Sequence, residues 1–509
     1  GGWSRMRFAA LILVGTISLS AGNSINQWTY DNGYKVSVGT VSSCNENVDQ
    51  FPDKVAPLFA KYGITYKNTY KIVENKVLNK KYVLYQRGCS RPAAADGQDI
   101  DGVFEIPLSK VYMSSSTYFG FMELMGERSS MRIINGLYSS SPCLHRQVSD
   151  GWTKNAPFTN WCSSTLGYCD LKDTDNNATT PNVQVPNEAL NALKIEGSFC
   201  TTGLVCKNPI MVSDISENNF YAAGEWIEYF SVFFNREAIV GQFADTTRQR
   251  WVTSSEFAMS IQDKKRVLFV SYWKEAYPAY GTYKGWEVKT CDPSTSYTRY
   301  CELVKAAGAI AVNSDTSALA GSTPSVYGKG YQAIENSKLI EFAKNVDVIV
   351  LESSFCSTPG YDCIAEYVSF FNNLKGIPAV DNKMVFDFGR KADPSGGTEW
   401  LAGGQLQPDA LLLDVIKSVY PDKVPKHEFV FMRNLLDSVK SGSLDCANVP
   451  TQLGCPMTGK ELIAKCTDLS ATVKLSNEDL VFSSASSPSS TMLVTALACV
   501  MSFLLALKH

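Results

Sequence analysis

The chain has 509 residues, of which 45% are hydrophobic, 11% aromatic and 19% charged; it is long enough for one large or two ordinary domains, and neither disorder nor a coiled coil describes the whole. With 47 basic and 50 acidic side chains the formal charge is -3, so no cationic field is available for a nucleic-acid backbone, and no nucleic-acid partner is expected. Three histidines, one of them His509 at the C-terminus, starve any mechanism that needs a histidine cluster.

From Met6 one positive charge, Arg7, precedes the apolar run Phe8 to Val14 and then the small residues Ser20-Ala21-Gly22, which reads as a secretory signal peptide over 6–22. An N-terminal α/β lobe is expected over 23–148. In it Tyr66, Tyr70, Ile72 and Val73, then Tyr82 to Tyr85, flank a polar turn near Asn75 to Lys80 and predict a β-hairpin. A short strand over 110–113 leads through Ser114-Ser115-Ser116-Thr117, with its capping hydroxyls, into a helix from Phe119 ended by Gly126. A second strand covers Met131 to Ile134. The stretch 149–215, rich in Asn, Thr, Gly, Pro and Cys, reads as a disulfide-stapled insertion.

Trp226, Ile227, Phe230, Phe233, Phe234, Ile239, Val240 and Phe243 recur at spacings of three and four, predicting one long connecting helix over 220–260, either a strut between lobes or a core helix. A C-terminal α/β lobe follows over 264–440. Strands at 266–270, 309–312 and 347–351 alternate with helices at 300–307 and 337–344, the pattern of a parallel sheet flanked by helices. Further helices are expected near 409–420 and 428–439. A Cys-containing extension fills 441–482. Over 483–509 a serine-rich spacer and the apolar run Met492 to Leu507 form the pattern of a GPI-anchor signal, with a single spanning helix as the alternative. Both place the folded part on the outer face of the plasma membrane.

Cysteine usage suits that compartment. Setting aside Cys499 in the tail leaves 14 of the 15. Cys162 with Cys169, Cys200 with Cys206, Cys291 with Cys301 and Cys356 with Cys363 lie close enough to close small loops and are the disulfide candidates; connectivity stays open. None has the spacing of a zinc site. Asn177-Ala178-Thr179 is a glycosylation sequon.

Catalytic signals are missing. The sequence has no G-x-S-x-G elbow and no phosphate-binding loop, and His145 and His427 read as loop histidines. No metal site and no intrinsic cofactor is expected, and the chain is read as a non-enzyme. What stands out is a set of hydroxyls and aromatics at the carboxyl ends of expected strands, where open α/β sheets bind ligands: Ser115 and Ser116, Tyr138 with Ser139 and Ser140, Tyr272 and Trp273, Phe355, and Trp400 after Gly396-Gly397.

Several segments carry a family likeness. Ser114 to Gly126, then Glu225-Trp226-Ile227-Glu228-Tyr229-Phe230, then Lys265-Arg266-Val267-Leu268-Phe269-Val270 occur in an order that resembles the class III periplasmic solute-binding proteins. Similar too are Ile334 to Leu339 before Val346 to Val350, and Gly396-Gly397-Thr398-Glu399-Trp400 before Gln407 to Asp414 and Tyr420-Pro421. The resemblance spans roughly Lys81 to Leu436 without the insertion. It implies two α/β lobes joined by a long helix, and capture of a small-molecule metal chelate, cobalamin or a ferric siderophore, between them. The terminal signals and cysteines point to a eukaryotic cell-surface version, similar to algal cobalamin-acquisition and siderophore-binding proteins. Where bacterial members carry a glutamate used to dock on a permease this chain has Tyr118, so delivery to another uptake receptor is implied. The alternatives are a surface carbohydrate-active enzyme and a structural cell-surface glycoprotein.

Overall fold

The computed structural model describes residues 28–31, 34–37, 44–135, 141–149, 151–155, 193–200, 208–273, 285–289, 291, 298–312, 323–324, 331–352, 363–390 and 400–437. The expected signal peptide, sequon and anchor segment lie outside them, as do the expected extension over 441–482 and Cys162, Cys169, Cys206 and Cys356.

The fold is mixed α/β, with several sheets flanked by helices. A hairpin of β1 (Trp28–Asp31) and β2 (Tyr34–Ser37) precedes a four-stranded sheet in the order β3 (Tyr62–Tyr66), β4 (Tyr70–Asn75), β5 (Lys80–Gln86), β6 (Gly102–Ile106). The expected hairpin is thus the second half of a three-strand antiparallel run, to which β6 adds in parallel. Its turn carries Asn79 at φ 52°, a left-handed conformation that asparagine tolerates. Strand β4 alternates half-buried and buried positions, as a strand with one face on a core must.

A second sheet of the first lobe is parallel throughout, in the order β11 (Pro209–Met211), β10 (Gly197–Cys200), β7 (Val111–Met113), β8 (Met131–Ile134), β9 (Lys154–Asn155). Three of its strands come from the cysteine-rich stretch 149–215. Helices α1 (Phe119–Leu124) and α2 (Pro142–Ser149) follow β7 and β8.

The expected single helix over 220–260 is two helices. Helix α3 (Phe220–Phe234) ends at Asn235, which sits at φ 53°, ψ 48°, and α4 (Glu237–Ser260) then starts anew. Apolar periodicity runs through this break because both helices face the same core. Every residue of α3 is buried. Helix α4 is the strut: Val240 and Phe243 belong to the first lobe's core, whereas Ala258 belongs to the second's and buried Arg250 donates to Asp409 at 2.7 Å.

In the second lobe the strands are β12 (Arg266–Trp273), β13 (Gly285–Lys289), β14 (Ile310–Ala311), β15 (Thr323–Pro324), β16 (Tyr331–Ile334), β17 (Val348–Glu352), β18 (Val385–Asp387) and β19 (Arg433–Asn434). They form one sheet in the order β15-β16-β13-β12-β17-β18-β19, with β14 also on β12. Its centre, β14, β12, β17 and β18, is parallel, and β13, β16, β15 and β19 are antiparallel additions. Val267, Phe269, Val348 and Val350 enter one core while Leu268, Val270, Ile349 and Leu351 enter the opposite one, so helices cover both faces. The flanking helices are α5 (Thr298–Ala306), α6 (Asn336–Ala343), α7 (Cys363–Asn372), α8 (Pro378–Asp381) and α9 (Pro408–Val419).

No helix occupies 428–437. Backbone N–H groups of Val430, Phe431 and Met432 donate to the buried carboxylate of Asp414 instead, and the chain continues into β19. Disulfides join Cys44 to Cys89 and Cys291 to Cys301, the latter as expected, and Cys143 and Cys200 are also disulfide-bonded.

Candidate functional site

The lobes meet where the carboxyl ends of their parallel strands converge. After β7 the chain turns at Ser115, whose hydroxyl accepts the Thr117 N–H and lies 2.8 Å from the Thr117 hydroxyl, capping a 3-10 turn over Ser116–Tyr118. This turn packs against a π-helical turn of the second lobe, Trp400–Gly404. Ser115 and Ser116 are half-buried at this contact. Asn135, after β8, donates to the Ser114 carbonyl at 2.9 Å and holds the turn in place.

Opposite them, Ser271 on β12 donates to Glu352 at the end of β17, and the Tyr300 hydroxyl, near the start of α5, donates to the same carboxylate. Asp387 at the end of β18 is held by Arg433 at 2.7 and 2.9 Å. An aromatic block fills the space between: Trp400 stacks on Phe388 with centroids 4.7 Å apart and lies 6.1 Å from Phe220 and 6.4 Å from Tyr300.

The structure revises several expected positions. Trp400 is 2% exposed and belongs to the second lobe's core, so it is no rim aromatic. Strand β12 runs past Val270 to Trp273, because β13 pairs with its end, Tyr272 opposite Trp286 and Trp273 opposite Gly285. Tyr272 is therefore within the strand, half-buried, with its ring 4.8 Å from that of Trp286. Trp273 is placed by its backbone alone. Tyr138, Ser139, Ser140 and Phe355 lie outside the described residues. Of the nine expected site residues, Ser115, Ser116 and Trp400 are brought together.

Residues that sequence patterns do not mark complete the junction. Asp214, in the turn between β11 and α3, is fully buried and accepts from Gln405 Nε2 across the lobes at 2.5 Å. Burial pushes its carboxyl above the usual range, against the opposing pull of Gln405 and of nearby Arg299. The Arg299 guanidinium lies over the Phe220 and Tyr300 rings at 5.1 and 5.6 Å. Tyr118 is fully buried with its ring 5.2 Å from Phe230. Burial first, then the Asp214 charge, drives its hydroxyl well above the ordinary phenol range. Gly224 makes the close approach of α3 to the second lobe feasible: a Cβ there would sit 2.7 Å from the Gln405 carbonyl. No spacing in the sequence distinguishes Asp214 or Arg299 from the other charged residues; only their burial does.

Among the described residues no group of three His, Cys, Asp or Glu could hold a metal ion, and no helix is long and apolar enough to cross a membrane. His427 Nε2 is 2.7 Å from Asp414 Oδ1, within the network that holds 430–432. Two hollows of about 680 and 220 Å3 open elsewhere and include none of the residues above.

No family model matches the chain, and no curated protein does. Solved structures similar to it include an iron-binding periplasmic solute-binding protein candidate from Staphylococcus epidermidis, at 11% identity and TM-score 0.35, over 61% of this chain and 98% of that one. Another is the periplasmic haem-binding protein RhuT from Roseiflexus, at 12% identity and TM-score 0.37, over 62% and 98%. A third is Helicobacter pylori CeuE with Ni(II) bound, at 11% identity and TM-score 0.38, over 62% and 85%. Similarity at this level assigns neither a family nor a ligand to the chain.

Proposed function

We propose that the protein is an extracellular solute-binding protein that captures a metal chelate, cobalamin or a ferric siderophore, between its lobes and passes it to an uptake receptor. The observation that carries this reading is the convergence of strand carboxyl ends from two α/β lobes on one junction lined by hydroxyls and aromatics. A preassembled chelate needs such walls and no protein ligand to its metal, which suits the scarcity of histidine. Trp273, Ser115 and Ser116 are assigned to the ligand walls, together with Tyr138, Ser139, Ser140 and Phe355, whereas Tyr272 packs on Trp286 in the core on the other face of the sheet. Trp400 acts from behind them, as the packed support of the junction.

Titration calorimetry with cobalamin, a ferric hydroxamate and haem tests this reading. Tight binding of one is expected, and no heat with any of them from folded protein overturns it. Trp273→Ala should weaken the productive ligand roughly thirtyfold, the effect of losing about 2 kcal/mol at a binding hot spot. Secretion through the 6–22 segment and GPI anchoring through 483–509 belong to the same proposal. Release from cell membranes by a phosphatidylinositol-specific phospholipase is expected, and retention with the tail peptide intact would replace the lipid anchor by a spanning helix.

A further inference from the structure

A hollow of about 220 Å3 opens beside the strut helix α4 and shares no residue with the lobe junction. Its walls come from both lobes: Phe59 from the segment before β3, Tyr221 from the start of α3, Trp251 and Met259 from α4, and Glu302 and Lys305 from α5. The three rings follow one another, Phe59 to Tyr221 at 5.5 Å and Tyr221 to Trp251 at 5.7 Å between centroids. Their planes are inclined by 85° and 43°, so they stand as angled walls and not as a stack. Phe59 is 55% exposed, yet its backbone is held: the N–H groups of Leu58, Phe59 and Ala60 donate to the buried carboxylate of Glu225 at 3.2, 2.7 and 2.8 Å. A buried acid thus fixes an exposed ring beside the hollow, which preorganises the wall for an occupant.

We infer that this hollow is a site for a small quaternary-ammonium head group of the choline type. It stands apart from the chelate junction and does not rest on that reading. Size comes first: the hollow is smaller than the roughly 300–1,000 Å3 of pockets that take drug-sized ligands, and it suits one compact head group. Three aromatic rings and a thioether supply polarisable walls of the kind that attract a cation. Two of the polar groups in the wall are already committed. Asn219 Oδ1 accepts the Ala222 N–H at 2.6 Å as the cap of α3, and the Tyr221 hydroxyl accepts from Arg248 Nε at 3.0 Å. An ammonium or guanidinium that carries N–H groups would find few acceptors left, whereas a quaternary nitrogen has no N–H to satisfy. Charge does not oppose it. Arg248 is offset by Asp245 at 2.9 Å and Glu225 at 3.8 Å. Lys305, with its side chain 73% exposed, has Glu302 3.8 Å away, so the wall offers an anion no uncompensated charge.

The test is equilibrium dialysis of the full chain with labelled choline, competed by lysine methyl ester and by the neutral isostere of choline in which carbon replaces the nitrogen. Saturable binding of choline is expected, with the isostere about tenfold weaker because it has the same shape and no charge. Phe59→Leu and Trp251→Leu each remove a ring and keep an apolar side chain; either should weaken choline by about fivefold. Phe59 is exposed, so its variant should unfold at the wild-type urea midpoint and serves if Trp251→Leu does not fold. No saturable binding, equal binding of the isostere, or an affinity that both ring variants leave unchanged overturns the site. Tighter binding of lysine methyl ester than of choline overturns the quaternary assignment. Flotation with phosphatidylcholine and with phosphatidylglycerol vesicles separates the two sources of such a head group. Co-flotation with the choline lipid alone, lost in Phe59→Leu, assigns the site to a membrane surface, and choline binding without co-flotation assigns it to a free cation; each supports the site.

Discussion

In the first lobe, α3 buries all of residues 220–234, and the turn after it is gripped by buried charges: Lys71 pairs with Glu237 and donates to Asn235 Oδ1 and the Val232 carbonyl, while Arg236 pairs with Glu127 at 2.7 Å. In the second lobe the central strand β17 is buried just as completely, and charged groups stand at the ends of β17 and β18, Glu352 with Ser271 and Tyr300, and Asp387 with Arg433. The difference has a physical origin. A helix buried all round has no solvent face that tells it which way to turn, so polar pins must set its direction and its end. A buried strand is already oriented by ladder hydrogen bonds, which leaves its polar terminus free to serve a binding junction. Buried charge thus fixes the end of a helix in the first lobe, whereas at the ends of β17 and β18 in the second it stands beside the junction.

The sharpest way to break that contrast is Lys71→Met. It leaves Glu237 buried and uncompensated, and a loss of about 3–5 kcal/mol is expected in urea unfolding. Adding Glu237→Leu should restore most of it. If the single change costs less than about 1 kcal/mol, the turn does not depend on its pins.

A smaller effect concerns Glu228, in the middle of α3. Burial pushes its carboxyl up to about 8, despite the hydrogen bond it accepts from Tyr62. The folded state then holds a proton that the unfolded chain, near 4.5, gives up, so this group stabilises the fold fully below about pH 4.5 and loses that stabilisation as pH rises to about 8. The slope approaches, as an upper bound, about 1.4 kcal/mol per pH unit. Glu228→Gln keeps an acceptor for Tyr62 and should flatten this part of the pH profile of unfolding. An unchanged profile would mean that Glu228 ionises freely in the fold.

Smallest is the difference between the two disulfides. Cys44–Cys89 spans 45 residues and Cys291–Cys301 spans 10. Loop-closure entropy gives them about 4 and about 2.7 kcal/mol. Replacing the first pair by serine should therefore lower stability by roughly 1 kcal/mol more than replacing the second. The reverse order would show that losing the second bridge unravels Thr298–Ala306, the helix that holds Cys301, rather than freeing a loop.

Much of the second lobe was legible in the sequence because its elements are continuous apolar runs between turn signals: 347–351 became β17 and 409–420 became α9. The helix expected near 428–439 failed because Asp414, 16 to 18 residues away in sequence, takes over the backbone N–H groups that a helix would have used. The break at Asn235 left one signal, an asparagine where the chain adopts a left-handed conformation, but the apolar pattern on both sides hid it. At the candidate site, Ser115 and Ser116 were found from their place after a strand. Asp214 and Arg299 were not, since one acid and one base among many acquire meaning only when their surroundings exclude water.

Composition, the order of apolar runs and the cap and turn residues were enough to set two α/β lobes, the position of most strands and the ends of α1 and α9, because hydrogen-bonding periodicity and local backbone preference act over a few residues at a time. Which charges are buried, where the long helical segment folds back and which polar atoms meet between the lobes depend on groups such as Asp214 and Gln405, 191 residues apart. Those were decided by tertiary structure alone, because desolvation and close packing are properties of the assembled interior and leave no period in the chain.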